Sequence, residues 1–233
     1  MKIRQFRYSA DNFSYLIYGK TSALIIDGGA VEEILGFIKK NNLILESVVN
    51  THNHTDHTLG NQKLLAQTSA DFIENDTLLK NGFINLEDEK INVYHTPGHT
   101  WDSIIFEASG SLITGDTLFN GTVGNCFCED LKVFYNSIKK ILAFPEQTTV
   151  YAGHDYLEYA MAFARIIEPQ NKDIDIYLRQ YNRQKVSTTL AQEKKVNPYL
   201  RFNHEIIIKK LEKNSLPTKT EYDRWESVMT IEN

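Results

Sequence analysis

Thr51-His52-Asn53-His54-Thr55-Asp56-His57 sets three imidazoles and a carboxylate within six consecutive positions, His52 to His57. All four side chains can bind a first-row transition metal. Side chains alternate along an extended backbone, so His52, His54 and Asp56 are expected to share one side while His57 turns off at the following bend. One short loop can then serve two neighbouring metals. The competing reading, a solvated polar turn rich in histidine by chance, explains neither the number of ligands nor their spacing.

The stretch is delivered by Ser47-Val48-Val49-Asn50, which has the composition of a buried strand and ends where open α/β sheets place their sites. The same arrangement recurs along the chain. Ile91-Asn92-Val93-Tyr94 leads to Thr96-Pro97-Gly98-His99-Thr100, Ser111-Leu112-Ile113-Thr114 to Gly115-Asp116-Thr117, and Thr149-Val150-Tyr151-Ala152 to Gly153-His154. The candidate ligands are therefore His52, His54, Asp56, His57, His99, Asp116 and His154, each at the end of a predicted strand. His95 and His204 read as structural.

Between these points the pattern alternates. Tyr15–Tyr18 and Ala23–Ile26 suggest a hairpin, closed by Asp27-Gly28-Gly29; Val31–Lys40, Leu59–Ala66 and Leu131–Leu142 read as helices; Ile104–Glu107 and Ser111–Thr114 form a second predicted hairpin. Residues 68–90 read as a polar connection without an assignable element. From Tyr156 onward strand patterns stop, and helices are predicted at Leu157–Ile167, Lys172–Gln184, Glu205–Leu211 and Thr220–Met229. The expected fold is α+β, a two-sheet sandwich flanked by helices over residues 1–168, followed by a helical unit over 169–233.

Composition narrows the function classes. The chain has 233 residues, 42% of them hydrophobic, enough for a sizeable core, and a formal net charge of −5. An acidic balance argues against a nucleic-acid binder that draws affinity from phosphate neutralisation. No apolar run approaches the roughly 20 residues that a membrane span needs. The two cysteines, Cys126 and Cys128, read as free thiols in a loop, and Met1-Lys2-Ile3-Arg4-Gln5 runs directly into mixed polar sequence, so a cytoplasmic setting is expected. A monomer, or at most a weak dimer, without nucleic acid or membrane partners, completes the expectation.

The ordered motifs His-x-His-x-Asp-His, His, Gly-Asp and Gly-His resemble those of the metallo-β-lactamase superfamily, over residues 1 to about 156. That resemblance implies a four-layer αββα sandwich, with His52, His54 and His99 on one metal, Asp56, His57 and His154 on a second, and Asp116 bridging. The later part narrows it: Gly153-His154-Asp155-Tyr156, Phe163–Asn171, Ser187-Thr188-Thr189-Leu190 and Asn197-Pro198-Tyr199-Leu200-Arg201 resemble the helical domain of glyoxalase II, the hydroxyacylglutathione hydrolases. This implies hydrolysis of a small S-acyl thioester such as S-lactoylglutathione by a metal-bridging hydroxide, in methylglyoxal detoxification. Asp56 and Asp116 are then catalytic, and Tyr156 and Arg201 fall on positions used for substrate binding.

Three positions depart from that family. Where it carries a Lys and a Tyr for glutathione, this chain has Asn125 and Phe127, and Glu205 stands where a further Lys is expected. Thioester chemistry is thus better supported than glutathione itself, and a different thiol carrier is an alternative, as are a persulfide dioxygenase or a lactonase of the same superfamily.

The residue types suit the chemistry. Imidazoles and carboxylates without thiolate ligands suit two divalent ions, Zn first, with Fe or Mn open. Coordination brings the pKa of water to about 7, and a leaving thiolate from a thiol of pKa about 8.5 needs no strong general acid.

Overall fold

The computed structural model describes residues 1–231. The elements run β1 (Lys2–Tyr8), β2 (Asn12–Tyr18), β3 (Ser22–Ile26), α1 (Val31–Lys40), β4 (Ile44–Val49), α2 (Thr55–Thr58), α3 (Asn61–Gln67), β5 (Asp71–Phe72), α4 (Asn75–Asn81), β6 (Phe83–Leu86) and β7 (Glu89–His95). They continue with β8 (Ile104–Ala108), β9 (Ser111–Gly115), α5 (Leu131–Leu142), β10 (Thr149–Ala152), α6 (Leu157–Ile167), α7 (Asp173–Gln180), β11 (Thr188–Thr189), α8 (Leu190–Val196), α9 (Glu205–Lys213) and α10 (Glu221–Ile231).

Strand alternation builds the layers. In β2 and β3, Phe13, Tyr15, Ile17, Leu24 and Ile26 face the space between the sheets, where Ile91, Val93, Ile104, Phe106 and Ile113 meet them. The opposite residues, Leu16, Ala23, Ile25 and Val48, pack under α1 and α3 through Ile34, Ile38 and Leu64. On the outer face of the second sheet, Ile105, Leu112 and Val150 meet Phe134, Ile138 and Ile141 of α5. The result is helix, sheet, sheet, helix, the α+β sandwich expected from the sequence. The sheets have strand orders β1-β2-β3-β4-β5 and β11-β10-β9-β8-β7-β6.

β3 runs parallel to β4, and β9 parallel to β10. Parallel neighbours present their C-terminal ends on one edge, which is why Asp27, the His-rich stretch, Asp116 and His154 can meet there.

The tail is built into the sandwich. β11 pairs with β10, Thr149 with Thr189 and Val150 with Thr188, so a strand follows Tyr156 where none was expected. Two threonines carry no apolar pattern, and the strand exists through tertiary pairing alone. Trp225 of α10 is fully buried against Phe134, with ring centroids 5.6 Å apart. Truncating such a side chain to alanine costs about 3–5 kcal/mol. α6 sits between the two parts: Ala160 and Met161 belong to the central core, whereas Phe163 and Ile167 pack with the tail. The segment 68–90 contains β5, α4 and β6, the helix closed by Gly82 in the left-handed conformation. α7 ends at Gln180, four residues before the sequence expectation, Gln184.

Candidate metal centre

The stretch that opens the sequence is extended only to His54, a residue with φ −75° and ψ 145°, and then enters the single helical turn of α2. This break sends His52 and His54 toward His99, and Asp56 and His57 toward His154. One ligand atom from each member of His52/His54/His99, of Asp56/His57/His154 and of His52/His57/Asp116 lies within 4.8 Å of the others in its group. All seven sequence-derived candidates are thus in one cluster.

The outward nitrogens of the rings are anchored, leaving the inward ones to converge. His57 Nδ1 lies 3.0 Å from Asp27 Oδ2, His154 Nδ1 3.0 Å from Asp11 Oδ1, His99 Nδ1 2.9 Å from the Asn125 carbonyl, and His52 Nδ1 3.1 Å from Thr51 Oγ1. Inside the cluster, ring nitrogens face one another: His52 Nε2 and His54 Nδ1 at 2.9 Å, His99 Nε2 and His54 Nδ1 at 3.1 Å, His57 Nε2 and His154 Nε2 at 3.2 Å. Opposed lone pairs at such distances call for a cation or a proton between them. Asp116 Oδ1 is buried and has no hydrogen-bond partner, although His57 Nε2 is 3.3 Å away, and its Oδ2 lies 3.5 Å from both His99 Nε2 and His154 Nε2. An orphaned carboxylate oxygen among converging imidazoles fits the binding of divalent metal ions.

The electrostatics differ across the cluster. Burial, reinforced by the adjacent His57, lowers His52 to a pKa of about 4, and burial likewise lowers His99. Burial also opposes charge on His57, but Asp27 and Asp116 outweigh it and lift that ring to about 11. His154 is raised in the same way by Asp116 against its own burial. Burial works to raise the Asp116 carboxyl, yet the His154 and His57 rings hold it well below the usual carboxylate range.

Asp27, Asp11 and Asn12 are contributors that the sequence reading did not single out. Asp27 is fully buried at φ 55°, a conformation uncommon outside glycine, and it accepts from Thr51 N, Thr51 Oγ1 and Asn50 Nδ2 besides facing His57. These partners hold the strained residue in place. Its position directly after a buried strand, like that of Asp116, was the available signal. Asn12 Nδ2 donates to Asp56 Oδ2 at 2.9 Å and lies 3.3 Å from His154 Nε2. Two glycines let loops close on the site: a Cβ at Gly153 would lie 2.2 Å from Asp116 Oδ1, and one at Gly124 2.0 Å from the Asp116 carbonyl oxygen.

A cavity of about 570 Å³ adjoins the cluster. Tyr156, expected to contact substrate, lines it and stacks on His154, ring centroids 5.0 Å apart and planes 6° from parallel; Phe119 meets both rings edge-on. Arg201 is not brought there. Its guanidinium binds both oxygens of Glu168, at 2.7 and 2.8 Å, and donates to the Lys194 carbonyl, so the substrate contact expected from the sequence is replaced by a buried ion pair within the tail. Asn125 lines the cavity, Phe127 stands exposed with its edge toward His54 and His99, and Glu205 pairs with Lys209 on the surface. His95 is exposed beside the Trp101 carbonyl, and Cys126 and Cys128 are free thiols pushed up by burial.

The cavity wall is tied to the tail by Glu193, fully buried on α8. One of its oxygens accepts from Gly121 N at 2.8 Å and Asn197 Nδ2 at 3.2 Å, the other from Tyr177 and Thr188 hydroxyls. The loop running from Gly121 to Asn125, whose last carbonyl backs His99, is thereby fixed from the tail.

Comparisons with known proteins agree with this architecture. The model of the metallo-beta-lactamase superfamily matches residues 10–88, and that of the hydroxyacylglutathione hydrolase C-terminus residues 155–230. Hydroxyacylglutathione hydrolase 1 of Vibrio vulnificus is 34% identical over 216 residues, covering 85% of this chain and 86% of the relative. The hydroxyacylglutathione hydrolase of Pseudoalteromonas translucida is 29% identical over 245 residues, covering 97% of this chain and 95% of the relative. Among solved structures, ETHE1 from Myxococcus xanthus superposes with a TM-score of 0.69 at 22% identity, covering 100% of this chain and 92% of that one. The BLEG-1 B3 metallo-beta-lactamase gives 0.66 at 20% identity, over 85% of this chain and 99% of that one. At these identities the structures establish the fold. The curated relatives establish more: the chain belongs to the hydroxyacylglutathione hydrolase family, within the metallo-β-lactamase superfamily.

Proposed function

We propose that this chain is a dinuclear metallohydrolase that cleaves S-acyl thioesters, with a 2-hydroxyacyl ester such as S-lactoylglutathione as its leading substrate. The observation that carries this reading is the orphaned Asp116 Oδ1 among inward-facing imidazoles, beside a cavity with volume enough for one half of a thioester. Family membership adds the substrate class. His52, His54 and His99 would hold one ion, Asp56, His57 and His154 the other, and Asp116 both. Zn is the first choice and Fe or Mn the alternatives.

Bound there, two divalent ions supply hydroxide near neutral pH and polarise a carbonyl. The protein supplies position. Asn12 fixes Asp56 Oδ2, and Asp27 and Asp11 orient the rings of His57 and His154. Tyr156 and Phe119 shield the His154 side from water and face the cavity, where the thiol half would lie. The carbon–sulfur bond breaks to release a thiolate of pKa about 8.5, which departs without a proton donor. An amide nitrogen would require one, so the site is suited to thioesters over peptides.

A cytoplasmic, monomeric enzyme is part of this reading. No helix among the described residues is long and apolar enough to cross a membrane, and the two free thiols fit a reducing compartment.

The test is steady-state hydrolysis of S-lactoylglutathione by protein stripped of metal and then reloaded with about two equivalents of Zn, Fe or Mn. Turnover should vanish on stripping and return on loading by at least about 10³-fold. Full turnover by metal-free protein would sink the proposal.

A further inference from the structure

The cavity beside the metal centre is neutral. Its wall is formed by Phe119, Asn125, Tyr156, Tyr159, Tyr199 and Met229, with small neutral residues between them, and no lining residue carries a formal charge. Two cations of the surrounding elements, Arg201 and Lys132, have other partners. Arg201 is held by both oxygens of Glu168, and Lys132 lies over the rings of Tyr135 and Tyr222, 4.9 and 4.1 Å from their centroids. A small hydroxyacyl group would leave most of a cavity of about 570 Å³ unfilled, so the thiol carrier is the half that fits it.

A positive feature indicates what the cavity would recognise. Tyr199 is fully buried, and its hydroxyl has no hydrogen-bond partner in the protein. Buried hydroxyls rarely stay unpaired, and a residue in the cavity wall can take its partner from a ligand. A phenol offers a neutral donor and acceptor, suited to an amide. The accessible phenols of Tyr156 and Tyr159, the Asn125 carboxamide and an aromatic edge, with the Tyr199 ring behind them, make a surface for an amide-bearing chain with no counter-charge for a carboxylate.

On the basis of the thioesterase reading above, we propose that the enzyme recognises the carrier half of its substrate through neutral amide and ring contacts in this cavity, and therefore accepts thioesters of uncharged, amide-bearing thiols as well as those of glutathione. The carboxylates of glutathione then contribute little to turnover.

The experiment compares kcat/KM for S-lactoylglutathione and for its dimethyl ester, equal in length but without carboxylates, on the metal-loaded full chain. A charge-assisted contact changes binding by about ten-fold or more. The ratio of free acid to diester should therefore fall below about five-fold and stay flat as salt screens surface charge. A preference for the free acid above that limit overturns the proposal. If neither ester is hydrolysed, it is the thioesterase reading that fails, a distinct result.

Two variants test the location. Asn125→Lys should raise the preference for the free acid by about ten-fold, since it places a cation in the wall; an unchanged ratio would put the carrier elsewhere and overturn the proposal. Tyr199→Phe removes a hydroxyl that no protein group uses, so the fold should tolerate it. It should raise KM for both esters by about three-fold or more with kcat retained, the pattern of a lost binding contact. An unchanged KM for both would count against the amide contact and overturn that part of the proposal.

Discussion

The two halves of the metal centre are backed by different chemistry. His52 and His99 lean on neutral oxygens, the Thr51 hydroxyl and the Asn125 carbonyl, and burial keeps both rings uncharged. His57 and His154 lean on carboxylates, Asp27 and Asp11, and both rings are raised. A carboxylate behind an imidazole makes the ring a stronger base, toward a metal or toward a proton. The first triad is thus ready to accept an ion at neutral pH, whereas the second must release a proton to do so. In the proposed dinuclear centre the same donor set, backed differently, would give two sites with different loading behaviour.

The largest effect should come from joining the halves through nothing. Asp116→Ala removes the carboxylate near both triads, and should lower kcat/KM by at least about 10³-fold and bound metal below one equivalent by atomic emission. Retention of two equivalents would show that the triads load independently of Asp116.

Asp11→Asn addresses one half alone. It should weaken the second equivalent by about 10–100-fold in competition with a chromophoric chelator, leaving the first unchanged. Equal weakening of both would break the comparison.

Proton release sharpens it further. With His57 and His154 both raised and His52 and His99 both lowered, uptake of the second ion at pH 7 should release more protons than uptake of the first. Because protons compete with the metal for His57, the second affinity should rise with pH, by about ten-fold per unit while the ring is charged. Calorimetric titrations in two buffers of different ionisation enthalpy measure the count directly. Equal release at the two steps would deny the asymmetry.

A control far from the centre should show the smallest effect. Glu221 anchors α10 through Lys139 at 2.8 Å and Tyr135 at 2.9 Å, and Lys139 first, then Tyr135, lowers its pKa to about 2. A depressed carboxyl stabilises above its unfolded value, and the contribution is lost as pH falls from about 4.5 toward about 2. The pair is nearly half exposed and screened, so Glu221→Gln should cost less than about 1 kcal/mol in urea unfolding at pH 7 and leave metal binding intact.

The clustered side chains were legible in the sequence because each is a metal-binding type within a few residues of the end of a predicted strand, or in the short stretch that follows one. Their proposed division between two ions came with the family resemblance, and the turn at Thr55 parts His52 and His54 from Asp56 and His57 along the same line. What stood behind the ligands was not legible, since Asp11 meets His154 across 143 positions and only the folded chain brings them together. Arg201 was misplaced for the same reason; its partner Glu168 lies 33 residues away and nothing in Asn197–Arg201 points to it. β5 and β11 escaped because strands of two residues have no period, and α4 because a short helix of mostly polar residues has little apolar face.

Glu193 sets an order of events during synthesis. The carboxylate that fixes the Gly121 end of the His99-supporting loop is made 72 positions after that loop, together with its partners Thr188 and Asn197. A nascent chain still attached to the ribosome at residue 170 would carry all seven ligands and lack the clamp that holds the His99 side in place. Such a chain should load its first ion poorly until the tail emerges, which defers the proposed centre until Tyr199 and Met229 complete the cavity wall.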